Sequence, residues 1–527
     1  MKLRVTFLLL SCAVYCAAQA ATGNLRGTVS DSTGALLPNC SVNIANVTTG
    51  FTRTVKTNER GDFNAPSVPV GVYNVTVELT GFQKTVLSGV ELQVDQTATL
   101  PIELKPGAIN ERVEVQATAP LLETQVSSLG QVVENKQILD MPLNGRNPFA
   151  LGTLAGGTVQ FQGLTTNLPI VAGGGRYSAN DVLLDGVDDN LRNYAGSVGR
   201  AGLAYTPSVD AVEEFKVKTN NFSAEYGHSA GYVMNATIKS GTNEFHGHAW
   251  EFLRNDVLDA NNFVSNYAGQ PKAKFRQNQF GATVGGPVLL PRFNGRDRTF
   301  FFVDYEGTQI RQSAGSSLLD EPPAAFRNGD FSGSSTTIYD PATRRLGPNG
   351  VVTSTPFPGN VIPTRFLNPA ALQYQSLIPL PNTGSPNATS RNYLAATPAK
   401  TVRNQGDARL DQRIASNNNL MTRVSVSRQT QTNQGAYIYS PSSPLFNTIN
   451  AVIGDTHLFS PNVVNEFRVG YNRANSSSVA LKADEELAFA AANGFQSGQS
   501  QFVAERRAPI CRLSARLAYY GDQFESD

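Results

Sequence analysis

The sequence predicts a mainly β fold, in which the second half of the chain supplies the strands of a membrane β-barrel. Short segments that alternate apolar and polar residues recur along the 527 residues, separated by Gly, Asn, Asp and Pro turns. Alternation over about ten residues with aromatic ends is typical of barrel strands, which turn apolar side chains toward lipid. After the N-terminal leader, no apolar run reaches the roughly 18 residues that a membrane-spanning helix needs. Any membrane crossing is therefore predicted to use a closed antiparallel barrel, which pairs every backbone group.

The composition argues against several classes of function. Charged residues make up 16% of the chain, against about 25% in an ordinary soluble domain. Lys plus Arg is 43 and Asp plus Glu is 42, so we expect no nucleic-acid partner. Two of the four cysteines lie in the leader, and Cys40 and Cys511 are far apart in sequence. No disulfide framework and no CxxC metal pair is predicted, and we expect neither a metal nor a cofactor.

The chain begins with a predicted secretory signal peptide, residues 1–20. Lys2 and Arg4 give it a charged start, an apolar stretch follows, and Ala18–Ala20 forms an A-x-A cleavage site. We therefore expect an exported protein whose mature chain begins at Ala21.

Residues 22–105 are predicted to form a small β-sandwich. Leu25–Ser30, Ser41–Asn46 and Tyr73–Leu79 are strand segments, and turn residues separate them at regular intervals. Short strands with regular turn signals are typical of a sandwich.

Three motifs give this sandwich a family resemblance. G-x-V-x-D-x-x-G starts at Gly27, T-x-x-x-G-x-F at Thr57 and P-x-G-x-Y-x-V at Pro69. Together they resemble the carboxypeptidase regulatory-like domain, whose fold is also similar to some carbohydrate-binding modules. The resemblance implies a spacer or binding module and not a peptidase, and it leaves carbohydrate binding open.

Residues 208–307 carry a second resemblance. They run from SVDAVEEFKVKTNNFSAEYGHSAGYVMNATIKSG through FRQNQFGATVGGPV to RTFFFVDYEG. This run resembles the plug-to-barrel junction of TonB-dependent outer-membrane receptors, in particular the Oar-like group. The resemblance implies an outer-membrane protein with an α+β plug over residues 118–240 and the first strands of a transmembrane barrel over residues 241–497.

Within the predicted plug, the resemblance implies a helix over Gln131–Leu139 and a strand and turn over Asn180–Val187. Leu143–Asn147, of sequence LNGRN, also matches the Oar-like group. In the barrel, residues 315–400 are rich in Pro, Gly and Asn and are expected to lie outside the cell, where barrel loops are long. The alternation predicts seven barrel strands, at residues 244–254, 275–286, 298–310, 402–414, 418–430, 450–459 and 463–474.

Residues 106–117 form a linker that contains a candidate TonB-binding segment. The segment is Glu111, Arg112, Val113, Glu114, Val115, Gln116 and Ala117. Valines alternate with polar residues here, as in an ordinary linker strand or in a TonB box that adds a strand to TonB in the periplasm. The expected partners are TonB, outer-membrane lipid and an unidentified extracellular ligand, with carbohydrate one possibility for that ligand; the N-terminal sandwich would be periplasmic.

The best case for an enzyme is weak. His248 and Glu251 form an H-x-x-E pair, and His457 would be the distant third zinc ligand of a metallopeptidase. The segment alternates as a strand does, and a strand places positions three apart on opposite faces. We therefore expect no enzymatic activity. A secreted zinc peptidase remains one alternative, and a surface adhesin or carbohydrate-binding protein that uses the sandwich is the other.

Four aspartates lie close together after the predicted buried strand in the plug. Their spacing does not match a calcium-binding EF-hand, which places ligands at alternate positions before Gly, and a polar turn is the better interpretation. The four are Asp181, Asp185, Asp188 and Asp189.

The chain is also expected to be a C-terminally truncated receptor. Receptors of this kind resemble one another in having about 22 strands, whereas only seven are predicted here. Residues 498–527 include Glu505–Leu513, which lacks strand alternation. A barrel of about eight strands has room only for its own side chains. We therefore expect no stable, transporting barrel from this chain alone.

Overall fold

The structure is a computed structural model that describes most of the chain from residue 22 onward, so the predicted signal peptide and most of the tail lie outside it. It contains three units in chain order: a two-sheet sandwich, a mixed unit and a long antiparallel sheet. The described residues are 22–107, 112–116, 128–143, 145–160, 170–176, 179–194, 197–223, 226–227, 229–267, 269, 271–348, 350–385, 388–434, 442–460, 463–480, 483–492 and 514–516.

The N-terminal unit is a sandwich of a three-stranded and a five-stranded sheet, in the orders β4-β1-β7 and β3-β2-β5-β6-β8. Alternate residues of each strand are buried between the sheets, as in Thr22–Asp31. Gly27 is required by close packing, because a methyl group there would lie 2.2 Å from the Leu100 carbonyl oxygen. The strands are β1 Thr22–Asp31, β2 Ser41–Asn46, β3 Thr52–Lys56, β4 Asp62–Pro69, β5 Gly71–Glu78, β6 Lys84–Leu92, β7 Thr97–Leu104 and β8 Arg112–Gln116.

The second unit, called the plug from here on, is built on a five-stranded sheet of order β13-β12-β17-β16-β9. Its apolar core includes Phe149 and Phe215, whose rings pack edge to face at 5.7 Å. Its strands are β9 Leu129–Glu134, β10 Thr158–Gln160, β11 Ile170–Ala172, β12 Asp181–Leu184, β13 Val187–Asp188, β14 Asn190–Tyr194, β15 Ser197–Leu203, β16 Val212–Asn220 and β17 Val233–Ile238.

The helix predicted over Gln131–Leu139 is only partly correct. The α-helix is Asn135–Asp140, and the residues before it form β9. Val132 and Val133 pair with residues of β16, and β-branched residues fit a sheet better than a helix. Tertiary pairing therefore decides the structure of this segment. The predicted strand and turn over Asn180–Val187 are confirmed.

The third unit is a long antiparallel sheet of order β18-β19-β22-β25-β26-β27-β28-β29. All seven predicted strands are present, and most are longer than predicted. Among the described strands, β18 pairs only with β19 within this sheet, so the sheet is open at that edge. The strands are β18 His246–Asn255, β19 Phe275–Pro287, β20 Leu289–Leu290, β21 Phe293–Asn294, β22 Thr299–Leu319, β23 Arg345–Leu346, β24 Val352–Thr353, β25 Tyr393–Ala415, β26 Asn418–Asn433, β27 Ser442–Ser460, β28 Val463–Ala480 and β29 Ser514–Arg516.

The connections at the two ends of the long sheet differ in length. The loop predicted at residues 315–400 is shorter in the structure, because β22 and β25 continue to pair as far as Leu319 and Tyr393.

None of the helices in the described part of the chain has the length and apolar character of a membrane-spanning helix. Besides Asn135–Asp140, the α-helices are Phe263–Tyr267, Ala324–Arg327, Pro369–Gln375 and Ala483–Ala492, and the 3₁₀ helices are Pro148–Leu154, Asp256–Leu258, Pro341–Thr343, Pro358–Asn360 and Thr364–Phe366.

The two faces of the long sheet have opposite chemistry. On β26, Val424 and Val426 are each 48% exposed on one face, while Arg423 and Ser425 are buried on the other. Successive side chains of a strand point to opposite faces. One face therefore presents apolar side chains outward, and the other presents polar and charged side chains to the plug, as in a membrane barrel wall.

Removing the Phe215 side chain should destabilise the plug. Phe215 is fully buried, and Phe→Ala in a core costs about 3–5 kcal/mol. We expect Phe215→Ala to lower the hydrogen-exchange protection of the β16 and β17 amides. Phe263→Ala removes the same ring from a position that is 83% exposed and should leave protection unchanged. Equal protection in both variants would show that the plug has no such core.

Candidate gating site between the plug and the sheet

Asp185 of the plug forms buried ion pairs with two arginines of the sheet. It occupies the turn after β12 with a φ of 49°, which carries its carboxylate toward the sheet. The carboxylate oxygens lie 2.6 Å from Nε of Arg423 and 3.4 Å from Nη1 of Arg409. The Asp185 and Arg423 side chains are 1% and 0% exposed, so water screens this contact very little.

The same arginines also bind backbone and amide oxygens. Arg423 donates to the Leu184 carbonyl at 3.3 Å and to Asn450 Oδ1 at 2.8 Å. Arg409 donates to the Ile238 carbonyl. Each guanidinium therefore joins the end of a plug strand to the inner wall of the sheet.

A second set of contacts joins plug hydroxyls to carboxylates of the sheet. The Tyr205 hydroxyl donates to Asp407 at 2.6 Å, and the Ser208 hydroxyl donates to Asp304 at 2.9 Å. Asp189 accepts from Asn450 Nδ2 at 3.1 Å. Burial raises the pKa of the Asp189 carboxyl well above its ordinary value, and the nearby arginine of β26 opposes that shift.

We call this group of contacts the plug–wall cluster. All of its contacts are made by polar groups, so water or a ligand can take the place of either partner in each contact. Its members are Asp185, Asp189, Tyr205 and Ser208 of the plug and Asp304, Asp407, Arg409, Arg423 and Asn450 of the sheet.

The plug–wall cluster accounts for two of the four clustered aspartates of the plug. Asp181 and Asp188 instead accept hydrogen bonds from Asn190 Nδ2, at 3.0 and 2.6 Å. Among the described residues, no three His, Cys, Asp or Glu side chains converge as metal ligands would.

The histidine of the H-x-x-E pair is engaged by the plug. His248 Nδ1 lies 2.8 Å from Asp210 Oδ1, which places His248 on the inner face of β18. Glu251, three residues on, lies on the opposite face by strand alternation. His457 lies on β27 and contacts Asn418. The three candidate zinc ligands are therefore separated.

The candidate TonB-binding segment is already part of a sheet. Residues 112–116 form β8, which pairs in parallel with β6 from Lys84 to Ser88. The Ser88 hydroxyl donates to Glu114 at 3.1 Å. β8 ends the strand order of its sheet, so within the described chain its other edge has no neighbouring strand. Glu111 and Ala117 lie outside the described residues.

The sandwich also contacts the plug directly. The Asp95 carboxylate lies 3.3 Å from Lys218 Nζ and accepts from the Tyr226 hydroxyl at 3.1 Å. The Val94 amide donates to the Glu214 carboxylate. Burial raises the pKa of Glu214 to about 8, and the neighbouring acidic side chains of Glu213, Glu91 and Glu134 add to that rise.

The sandwich also contacts one end of the long sheet. The Asn243 amide donates to the Thr48 carbonyl at 3.0 Å, and Arg413 donates to the Gly50 carbonyl at 3.1 Å. Asn243 lies just before β18, and Arg413 lies near the end of β25. Both contacts are at the end of the sheet where the connections are short.

Sequence reasoning did not identify the arginines and carboxylates of the wall. A usable signal was present, because Asp407, Arg409 and Asp411 occupy alternate positions of a single predicted strand. Charged residues repeated at a period of two mark the inner face of a barrel strand. The partners of these residues on the plug could not be derived from the sequence.

Neutralising Asp185 should loosen the plug. Asp185→Asn would leave Arg423 buried without a counter-charge, and breaking a buried pair costs about 3–5 kcal/mol. We expect lower hydrogen-exchange protection of the β12 and β17 amides and a lower urea midpoint. Asp259→Asn removes an equal charge from a surface pair that is 41% exposed and should change little. Unchanged protection in Asp185→Asn would contradict the proposed role of the contact.

The contact between sandwich and plug should weaken as the pH rises. A carboxyl with a raised pKa contributes stability that is fully present below its unfolded pKa of 4.5 and is lost as pH rises through about 8. We expect the β16 amides next to Glu214 to exchange faster above this window, after correction for intrinsic exchange. Glu214→Gln should remove the pH dependence, whereas Glu59→Gln, at an exposed position, should keep it. An unchanged pH dependence in Glu214→Gln would exclude this carboxyl as the cause.

Two family models match the sequence. The outer membrane beta barrel domain matches residues 237–523, and the carboxypeptidase regulatory-like domain matches residues 24–105. The first match includes residues 498–523, part of the tail that we expected to depart from the barrel pattern. That expectation, and the expectation of a truncated receptor, stay predictions.

Several known proteins with similar sequences or folds are transporters or receptors. The chain is 25% identical over 311 residues to the TonB-dependent transporter Oar of Myxococcus xanthus, covering 52% of this chain and 27% of that protein. The outer membrane transporter YddB from Escherichia coli is 10% identical with a TM-score of 0.43, covering 67% of this chain and 40% of its own. The siderophore receptor PirA from Pseudomonas aeruginosa is 12% identical with a TM-score of 0.37, and the match covers 67% of this chain and 41% of PirA.

The chain thus spans about a quarter of the length of the curated relative and about two-fifths of each of these solved structures. The barrel match covers more than half of the chain, and the second match coincides with the N-terminal sandwich. The chain therefore belongs to the outer membrane beta barrel domain family, with an N-terminal sandwich that matches the carboxypeptidase regulatory-like domain.

Proposed function

We propose that this chain is the sandwich, plug and partial barrel of an outer-membrane receptor that takes up a ligand by TonB-dependent active transport, and that transport requires the complete barrel. The observation that carries the proposal is the plug–wall cluster, in which buried but exchangeable polar contacts hold the plug against the inner wall. In a complete barrel, these contacts would hold the plug across the lumen, and a moderate pulling force could break them. The identity of the ligand follows from none of these contacts.

The orientation of the protein follows from the lengths of its connections. Only two residues separate β25 from β26 and β27 from β28 at one end of the sheet, whereas residues 320–392 separate β22 from β25 at the other. Short turns face the periplasm in outer-membrane barrels. The sandwich contacts the end with short turns and would therefore be periplasmic, with the apolar outer face of the sheet in contact with lipid.

A pulling force applied by TonB to β8 would reach the plug through a short segment of chain. We expect TonB to add a strand to the free edge of β8, where main-chain hydrogen bonds give affinity and the alternating side chains of Val113 and Val115 give specificity. Residues 117–128 connect β8 to β9, which is the outer strand of the plug sheet. Pulling would remove β9 first and then load β16, which precedes the β17 strand that ends at the contact with Arg409.

A cavity supports a periplasmic exit. It has a volume of about 250 Å³ and lies where the sandwich, the plug and the sheet meet, with Phe51, Asp185 and Arg413 in its lining. Movement of the plug away from Arg409 would open this cavity toward the space above the plug.

The alternative functions have less support. An adhesin would display its sandwich outside the cell, whereas this sandwich contacts the end of the sheet with short turns. The separated positions of His248 and Glu251 do not favour a zinc peptidase, and the curated relative is a TonB-dependent transporter.

The segment 111–117 can be tested as the TonB-binding strand. Val113→Pro removes a ladder donor, and we expect it to abolish photo-cross-linking of the full chain to the purified periplasmic domain of TonB. Val113→Ala keeps the donor and should retain cross-linking. Cross-linking that survives the proline would refute the assignment of this strand.

A further inference from the structure

A second cavity, of about 300 Å³, lies between the plug and the inner wall. Arg146 and Tyr205 line it from the plug, and Arg403, Gln405 and Gln429 line it from the sheet. Its volume is at the lower end of the range for small-molecule sites, which is about 300–1,000 Å³.

The position of this cavity is on the side of the long connections. Arg403 precedes Arg409 on β25, a strand that begins at the long connection 320–392. Arg403 pairs in register with Gln429 and with Thr308. The cavity therefore lies above the plug–wall cluster, on the side from which an extracellular ligand would arrive.

The lining is positively charged. Of the described residues that line the cavity, two are arginines and none is acidic. Gln405, Gln429 and Tyr205 add neutral groups that can donate hydrogen bonds. An arginine fork binds carboxylate and phosphate oxygens in pairs.

Both arginines form ion pairs with carboxylates that do not line the cavity. Arg146 Nη2 lies 2.8 Å from Asp210, and Arg403 Nη2 lies 3.3 Å from Glu306. The guanidinium of Arg146 also stacks over the Phe252 ring at 3.7 Å. These contacts fix the orientation of the two forks.

Each guanidinium group has one N–H donor that makes no hydrogen bond to a described residue. The Nε atoms of Arg146 and Arg403 are buried and have no hydrogen-bond partner among the residues that the structure describes. An unpaired buried donor of this kind is costly, and more so when it is charged. A small movement of either guanidinium toward an anion in the cavity would let its Nε donate and relieve that cost.

We propose that this cavity binds an anionic group, a carboxylate or a phosphate, of the transported ligand. The proposal rests on the proposed transport function and adds the chemical class of the ligand. Binding at Arg146 would compete with Asp210, which follows Ser208 of the plug–wall cluster by two residues. Occupancy of the cavity would in this way weaken the contacts that hold the plug.

Equilibrium dialysis of the full-length chain in detergent tests the proposal. Labelled succinate is the carboxylate probe, pyrophosphate is the phosphate probe, and succinamide is an uncharged analogue of succinate. We expect at least one of the two anions to bind saturably and to identify the source of the charge, while succinamide does not bind. Binding of neither anion, or equal binding of succinamide, would overturn the proposal.

Variants locate the binding. Arg403→Gln should weaken anion binding by about tenfold or more, the loss expected for one charged hydrogen bond. Gln429→Glu removes no arginine and should also weaken binding, by repulsion. Arg428→Gln is the matched control, because Arg428 is exposed and neighbours Gln429 on the opposite face of β26. Undiminished binding in both cavity variants would place the anion elsewhere.

The two proposals can fail separately. Anion binding that depends on Arg403, in a chain that never cross-links to TonB, would support the site and refute transport. Cross-linking to TonB without anion binding would support transport and refute the site.

Discussion

The position of the plug depends on the buried contact of Asp185 with Arg423 and Arg409. Phe302 is the one residue of the described sheet that belongs to the apolar core of the plug, so apolar packing alone gives little attachment to the wall. Ion pairs and hydrogen bonds supply the rest. Buried ion pairs are weak evidence of net stability, but losing one partner is costly. The contact is therefore strong while both partners are present and can be broken by a competing charge or by force.

The three units are mechanically connected. β8 lies in the sandwich, β9 follows it in the plug, and β16 joins β9 to the strand that ends beside Arg409. The sandwich holds the plug through Asp95 and Glu214, so movement of the sandwich is transmitted to the same plug sheet. A carboxyl with a raised pKa at this contact makes its strength depend on pH. The sandwich therefore affects how readily the plug can be drawn away from the wall.

Much of the fold was predictable, because alternation at a period of two is a local property of the sequence. The seven strands follow from it, whereas the strand and turn at Asp185 were implied by the family resemblance. The length of β25 does not, since its first residues, YLAATPA, lack a regular alternation of apolar and polar side chains. They form a strand because β22 continues beside them. The strand β9 was predicted as helix because its pairing with β16 joins segments that are far apart in sequence.

The candidate site was predictable only in part. The sequence singled out Asp185 and the segment 111–117, yet it could not supply the partner of either. Arg423 lies 238 residues beyond Asp185. β6 and β8 are neighbours in the five-stranded sheet, although β7, which lies between them in the sequence, belongs to the three-stranded sheet. Contacts of this kind depend on how the domains pack, and no local pattern encodes them.

A double-mutant cycle between Asp185 and Arg423 tests the central claim most directly. The variants are Asp185→Asn, Arg423→Gln and the two combined, and the measured quantity is the free energy of opening of the β12 and β17 amides by hydrogen exchange. If the pair holds the plug, the two losses will not add, and the interaction energy will lie within the range of about 0.5–3 kcal/mol seen for contacting residues. Additive losses would show that the two side chains act independently and that the plug is held by other contacts.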